Sequence, residues 1–110
     1  MHSRSLLLAA VLLTGCAGPL ARGEAQFDNG SYPEAKQTFA TLEAESRTWD
    51  ERQRAEYALY RGLTLAALGD REHAGPWIRQ AKAIEEAHPG SLSPENVRRL
   101  RIGLETNDVP

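Results

Sequence analysis

The chain has 110 residues, 13 Lys and Arg against 15 Asp and Glu, a formal net charge of -2 and a single cysteine. That length allows one small domain, and a charge so near neutral supplies no general pull toward nucleic acid. One cysteine excludes an internal disulfide framework, no paired Cys/His spacing points to structural zinc, and the abundance of Ala, Leu, Glu and Arg favours helices.

Taken in chain order, residues 1–18 read MHSRSLLLAAVLLTGCAG, with Arg4 ahead of an unbroken apolar run from Leu6 to Leu13. A membrane span needs about 20 such residues. A charged start, a short apolar run and then small residues instead predict a secretory signal that takes no part in the fold. Leu13-Thr14-Gly15-Cys16 resembles the lipobox of bacterial lipoproteins, in which a hydrophobic residue and two small ones precede an obligatory cysteine. The resemblance implies a diacylglyceryl group on the Cys16 sulfur, cleavage before Cys16 and acylation of its new amino group. Residues 1–15 are then the signal and 16–18 a lipidated linker; 110 residues less 15 leave 95, with 12 basic and 15 acidic side chains once Arg4 is gone. Two or more acyl chains hold a protein firmly where one does not, at roughly 0.8 kcal/mol per buried methylene. Acylation also gives the odd cysteine a role in an oxidising compartment. The alternative is an ordinary signal cut after Ala17, which discards Cys16 and releases a soluble periplasmic protein. Ala17 after the cysteine fits, by the enteric sorting rule, an outer-membrane lipoprotein facing the periplasm of a Gram-negative cell.

The rest of the chain repeats itself. Setting Arg22-Gly23 over Arg61-Gly62 brings Gly30 onto Gly69, Ala35 onto Ala74, Phe39 onto Ile78 and Leu42 onto Ala81, always 39 residues apart. This pattern resembles the tetratricopeptide repeat, a helix-turn-helix unit of about 34 residues. The resemblance implies an all-α fold of two tetratricopeptide-like hairpins, about 19–49 and 55–88 within 19–89, and a C-terminal capping helix and tail over 90–110. In such a unit the first glycine lets two helices approach, the second ends the first helix at φ > 0, and the alanine and large apolar residue pack the pair.

Boundaries follow from local chemistry. Ser31 with Glu34, and Thr48 with Glu51, have capping-box spacing, Asp70 can cap the helix after Gly69, and Ser93-Pro94 opens a last helix. The expected helices are 19–29, 33–46, 49–68, 71–88 and 94–105. The five extra residues of the repeat fall around Ser46–Arg52, so the third of these helices begins early. The first is short, with Pro19 where a bulky residue is usual. Pro76 cannot donate to the carbonyl of Glu72, so the fourth should bend or start late.

No catalytic constellation is visible, and neither an enzyme nor a bound cofactor is expected. Asp70, Glu72 and His73 read as capping and solvated charge rather than metal ligands. Arg98, Arg99 and Arg101 form either a basic strip for anionic lipid or an acidic partner, or, as favoured here, the solvated outer face of a capping helix. By position in the repeat, a concave groove would be lined by Leu20, Glu24 and Phe27 from the first copy and Glu56, Leu59, Leu63, Ala66 and Ala67 from the second. That surface is mostly apolar with two carboxylates, and it lacks the lysines and asparagines of domains that clamp a terminal carboxylate. An apolar helix of a partner fits it better, although Leu59 and Leu63 are equally suited to a core. Trp49 and Trp77 suit burial better than anchoring an interface. Two repeats plus one helix are few for a stable array, so self-association or stabilisation by a partner is expected. The expected function is a lipid-anchored protein–protein interaction module, a scaffold or assembly factor of the envelope; a non-catalytic recruiter of cell-wall hydrolases is the alternative.

Overall fold

A computed structural model describes residues 18–109. The signal, Cys16 and Ala17 lie outside the described residues. Within them every regular element is helical: α1 (Gly18–Asp28), α2 (Tyr32–Thr41), α3 (Glu43–Ser46), α4 (Glu51–Ala67), α5 (Arg71–Ala87) and α6 (Pro94–Thr106).

One turn recurs at intervals of 39 residues. After α1, the Gly30 N–H donates to the Phe27 carbonyl at 2.9 Å and the Ser31 N–H to Gln26 at 2.8 Å. After α4, the Gly69 N–H donates to Ala66 at 3.0 Å and the Asp70 N–H to Leu65 at 2.9 Å. After α6, Asp108 donates to Glu105 at 3.3 Å and Val109 to Leu104 at 2.9 Å. The residue at the pivot has φ of 78° in Gly30, 82° in Gly69 and 51° in Asp108. Two carbonyls left over at each helix end are satisfied in this way, and Asp is among the few non-glycine residues that tolerate the left-handed backbone. The last helix thus ends as α1 and α4 do, which the expectation of a plain cap over 90–110 did not anticipate.

The equivalent glycines make equivalent approaches. A Cβ on Gly23 would stand 2.5 Å from the Phe39 ring, and one on Gly62 would stand 2.6 Å from Ile78 Cγ1 and 3.1 Å from the Ile78 backbone nitrogen. Helix α1 therefore lies close on α2, and α4 close on α5. Helix α6 is laid over the second pair, where a Cβ on Gly103 would stand 3.0 Å from Leu63 Cδ2 and 3.6 Å from Ile78 Cδ1. Two core clusters result. One is aliphatic and joins α4, α5 and α6 through Leu59, Ile78, Ala81, Leu92 and Leu100; the other is aromatic and joins α2 and α4 through Phe39, Tyr57 and Tyr60.

Several expected boundaries are corrected. The helix expected over 33–46 breaks at Leu42, between α2 and α3. The Tyr57 hydroxyl donates to the Phe39 carbonyl at 2.6 Å, just ahead of that break. Thr48 does not open α4: its hydroxyl donates back to the Glu45 carbonyl at 2.8 Å, while Asp50 accepts from the Gln53 N–H at 2.9 Å. Ser31 precedes α2 without a capping hydrogen bond from its side chain. Asp70 and Ser93 do cap α5 and α6. Helix α5 starts at Arg71 despite Pro76; Glu72 and Pro76 are both exposed, so water can serve the carbonyl that lacks its donor.

Candidate functional site, a cleft on α1, α4 and α6

The chain ends of the helices alternate, so α1, α4 and α6 run in the same sense and their first turns meet at one end of the molecule. Between α1 and the start of α4 lies a cleft of about 390 Å³. Its walls include Leu20 and Trp49, and its polar lining includes Gln53 and the carboxyl groups of Glu24, Glu45 and Glu56. A smaller cleft of about 160 Å³ continues between α4 and the start of α6, and Glu56 lines both.

The floor of this surface is electrostatically loaded. Burial, and then the adjacent Glu56 carboxyl, push the Glu24 carboxyl from 4.5 up to about 8. Asp28 on the next turn adds to the rise, while Arg99 opposes it. The Glu56 carboxyl stands close enough to Glu24 to oppose its ionisation. One buried oxygen of Glu24, Oε2, has no hydrogen-bond partner. Near neutral pH Glu24 is thus held largely protonated and partly unsatisfied at the edge of an apolar wall.

Arg99 of α6 organises the neighbouring part of the face. It donates to the Tyr60 hydroxyl and to Asn96 Oδ1 at 3.2 Å, and pairs with Glu95 at 3.1 Å and with Asp28 of α1 at 3.9 Å. Its guanidinium lies 5.5 Å from the centre of the Tyr60 ring. Burial raises the Tyr60 hydroxyl to about 12, so it remains a neutral acceptor for Arg99. Phe27 closes the group edge-on against Tyr60, with 5.4 Å between ring centres. One side chain on the last helix therefore ties down the first.

The eight residues expected to line the groove separate into two sets. Leu20, Glu24, Phe27 and Glu56 are half-buried on the common face of α1 and α4. Leu59 is fully buried in the core and offers no surface. Leu63 and Ala66 are half-buried against the aliphatic core, with α6 over Leu63, and Ala67 stands exposed at the end of α4. The chain's own last helix fills the second half of the expected groove. The repeat-defining Ala35, Phe39, Ala74 and Ile78 are all fully buried.

Trp49, Gln53, Asn96 and Arg99 belong to the face but were not assigned to it from sequence. Arg99 is a correction: it turns inward, while Arg98 and Arg101 are exposed. Trp49 and Trp77 are half-buried and both stand edge-on to Tyr57, at 5.7 and 5.6 Å.

On the other side of α4, a polar cleft of about 420 Å³ is lined by residues including Arg47, Arg54, Trp77 and Gln80. Arg61, which contacts the lining residues Glu43, Tyr57 and Trp77, is spent on structure. It bonds Glu43 at 2.7 Å and the Tyr57 hydroxyl at 2.9 Å, and stacks 4.4 Å from the Trp77 ring centre. Among the described residues no group of three or more His, Cys, Asp or Glu is arranged to hold a metal, and Asp70 and His73 are bonded to each other at 2.9 Å beside the α5 cap. Comparison with protein-family models, with curated proteins and with solved structures returns no match.

Proposed function

We propose that the chain is a lipid-anchored protein–protein interaction module of the bacterial envelope. Its face on α1 and α4 holds a segment of a partner protein. The observation that carries this reading is the cleft itself. Leu20 and Trp49 offer apolar area beside a half-buried acid whose Oε2 lacks a partner, the combination that favours a mostly apolar partner helix with one donor or cation set against Glu24. The 39-residue recurrence of the Gly30 and Gly69 turns, and the matching Gly23–Phe39 and Gly62–Ile78 approaches, support two tetratricopeptide-like hairpins followed by α6. The lipobox-like Leu13-Thr14-Gly15-Cys16 supports the anchor.

Fatty-acid labelling with membrane fractionation tests the anchor. Wild-type protein is expected to take up label and sediment with the outer membrane, and Cys16→Ser to do neither; an unlabelled, released wild type contradicts it. Photo-crosslinking in intact cells tests the face. A crosslinker at the exposed cleft residue Gln53 should capture one discrete envelope protein, and one at Ala83, exposed on α5, should not. Capture must fall sharply in Glu24→Arg, and equal capture from both positions contradicts the assignment.

A further inference from the structure

The sequence leaves only Ala17 between Cys16 and the first residue of α1. Two residue steps span at most ~7 Å. If Cys16 carries the acyl chains, its backbone is held at the level of the lipid headgroups, and Gly18 stands within that distance of them. The position of Gly18 in the fold then decides which part of the domain meets the bilayer.

The linings of the clefts identify that part. Gly18 and Pro19 share one cleft with Glu45, Trp49 and Gln53, at the junction of α3 and α4. Arg52 shares the next with Gly90 and Ser91 in the loop before α6. Glu51 and Arg54 share a third with Ala87 and His88 at the end of α5. The first turns of α1, α4 and α6 and the last turn of α5 therefore lie together at one end. The Gly30, Gly69 and Asp108 turns lie at the other, where Arg71 of α5 donates to the Thr106 carbonyl at 3.1 Å. Helix α4, with 17 residues, separates the two ends by about 25 Å at 1.5 Å per residue.

We propose that the end carrying Gly18, Trp49, Arg52 and Gly90 rests on the bilayer surface, with Trp49 at headgroup depth and the cleft of Glu24 opening sideways just above it. This rests on the acylation of Cys16 set out under the proposed function. The chemistry of the end suits the position. Trp49 presents a half-buried indole, and the Arg47 side chain is 73% exposed; aromatic rings and cations are both accommodated at the membrane–water interface. Glu45, Asp50 and Glu51 at the same end balance the arginines, so the short tether, not charge attraction, sets the contact. A partner would then reach the cleft laterally, along the membrane, rather than from above.

Tryptophan depth measurement tests the orientation. The acylated protein, extracted from membranes, is reconstituted into phosphatidylethanolamine–phosphatidylglycerol vesicles with and without acyl chains brominated near the headgroups. In Trp77→Phe only Trp49 emits, and in Trp49→Phe only Trp77, which lies ten residues before the end of α5 and, since both rings stand against Tyr57 at 5.7 and 5.6 Å, within about 11 Å of Trp49. Trp49 emission should be strongly quenched by the brominated lipid and Trp77 emission less so. A long Gly/Ser insertion between Ala17 and Gly18 should abolish the quenching, in wild type as in Trp77→Phe, while the protein still sediments with vesicles. Protein that sediments with vesicles yet shows no quenching of Trp49 overturns the orientation alone. Protein from membranes that carries no acyl chain overturns the anchor instead, and the orientation with it.

Discussion

The two helix pairs are built on the same contact and supported differently. In each, a glycine of the first helix admits a large side chain of the second, Phe39 onto Gly23 and Ile78 onto Gly62. The second pair is then sandwiched, with α2 on one side of α4 and α6 on the other, and eight residues of α4 are buried. In the first pair α1 buries only Gly23. Its other ties include Phe27 on Tyr60, the Thr38 hydroxyl to Gln26 Oε1 at 2.7 Å, and the reach of Arg99 to Asp28. Stability within one domain follows burial, so α4 and α5 form the frame and α1 is an arm laid on it. The arm carries half of the cleft.

Cutting the large side chains should break the comparison most. Ile78→Ala and Phe39→Ala each remove a fully buried side chain and should cost about 3–4 kcal/mol in denaturant unfolding. The two losses should differ in kind. Ile78→Ala lowers protection throughout, whereas Phe39→Ala also loosens α1 below the global unfolding limit. Filling the glycines comes next. Gly62→Ala drives a methyl toward Ile78 and its backbone and should cost about 2 kcal/mol, net of the better helix propensity of alanine. Gly23→Ala meets only the far edge of the Phe39 ring, which can shift, and should cost about half as much.

Arg99→Met keeps the aliphatic stem and removes the bonds to Tyr60, Asp28 and Glu95. With its side chain 32% exposed, the loss should be on the order of 1 kcal/mol, with faster amide exchange in α1 and little change in α5. The smallest effect is pH-dependent. Glu24 titrates near 4.5 when unfolded and at about 8 in the fold, so between these values the native state holds more protons and stability falls as pH rises. Glu24→Gln should flatten that slope, match wild type at pH 4 and be more stable at pH 8 by on the order of 1 kcal/mol, since partial solvation reduces the full effect of the shift. A wild type that gains stability from pH 5 to 8 relative to Glu24→Gln would reverse the assignment.

What the sequence made legible was whatever a single residue type enforces locally. The paired glycines 39 residues apart, the Asp70 and Ser93 caps and the fully buried Ala35, Phe39, Ala74 and Ile78 all fall in this class. Features decided by tertiary contact stayed hidden. Thr48 has the spacing of a cap, but its hydroxyl finds the Glu45 carbonyl first and Asp50 takes the role. Nothing within 33–46 announces the break at Leu42, because the Tyr57 hydroxyl that accompanies it comes from another helix. Arg99 was one of three arginines on a helix whose buried side depends on what it is laid against. The third turn was masked because Asp108 stands where the first two have glycine. Leu59 and Leu63 were ambiguous between groove and core for the same reason as Arg99: the partner that covers that face is α6 of the same chain.

Native-state hydrogen exchange, residue by residue, tests the division into frame and arm most directly. The interior amides of α4 and α5 are expected to exchange only through global unfolding, and those of α1 through a cheaper local opening that closes when a partner segment occupies the cleft. Amides of α1 as strongly protected as those of α4 without any partner would contradict it.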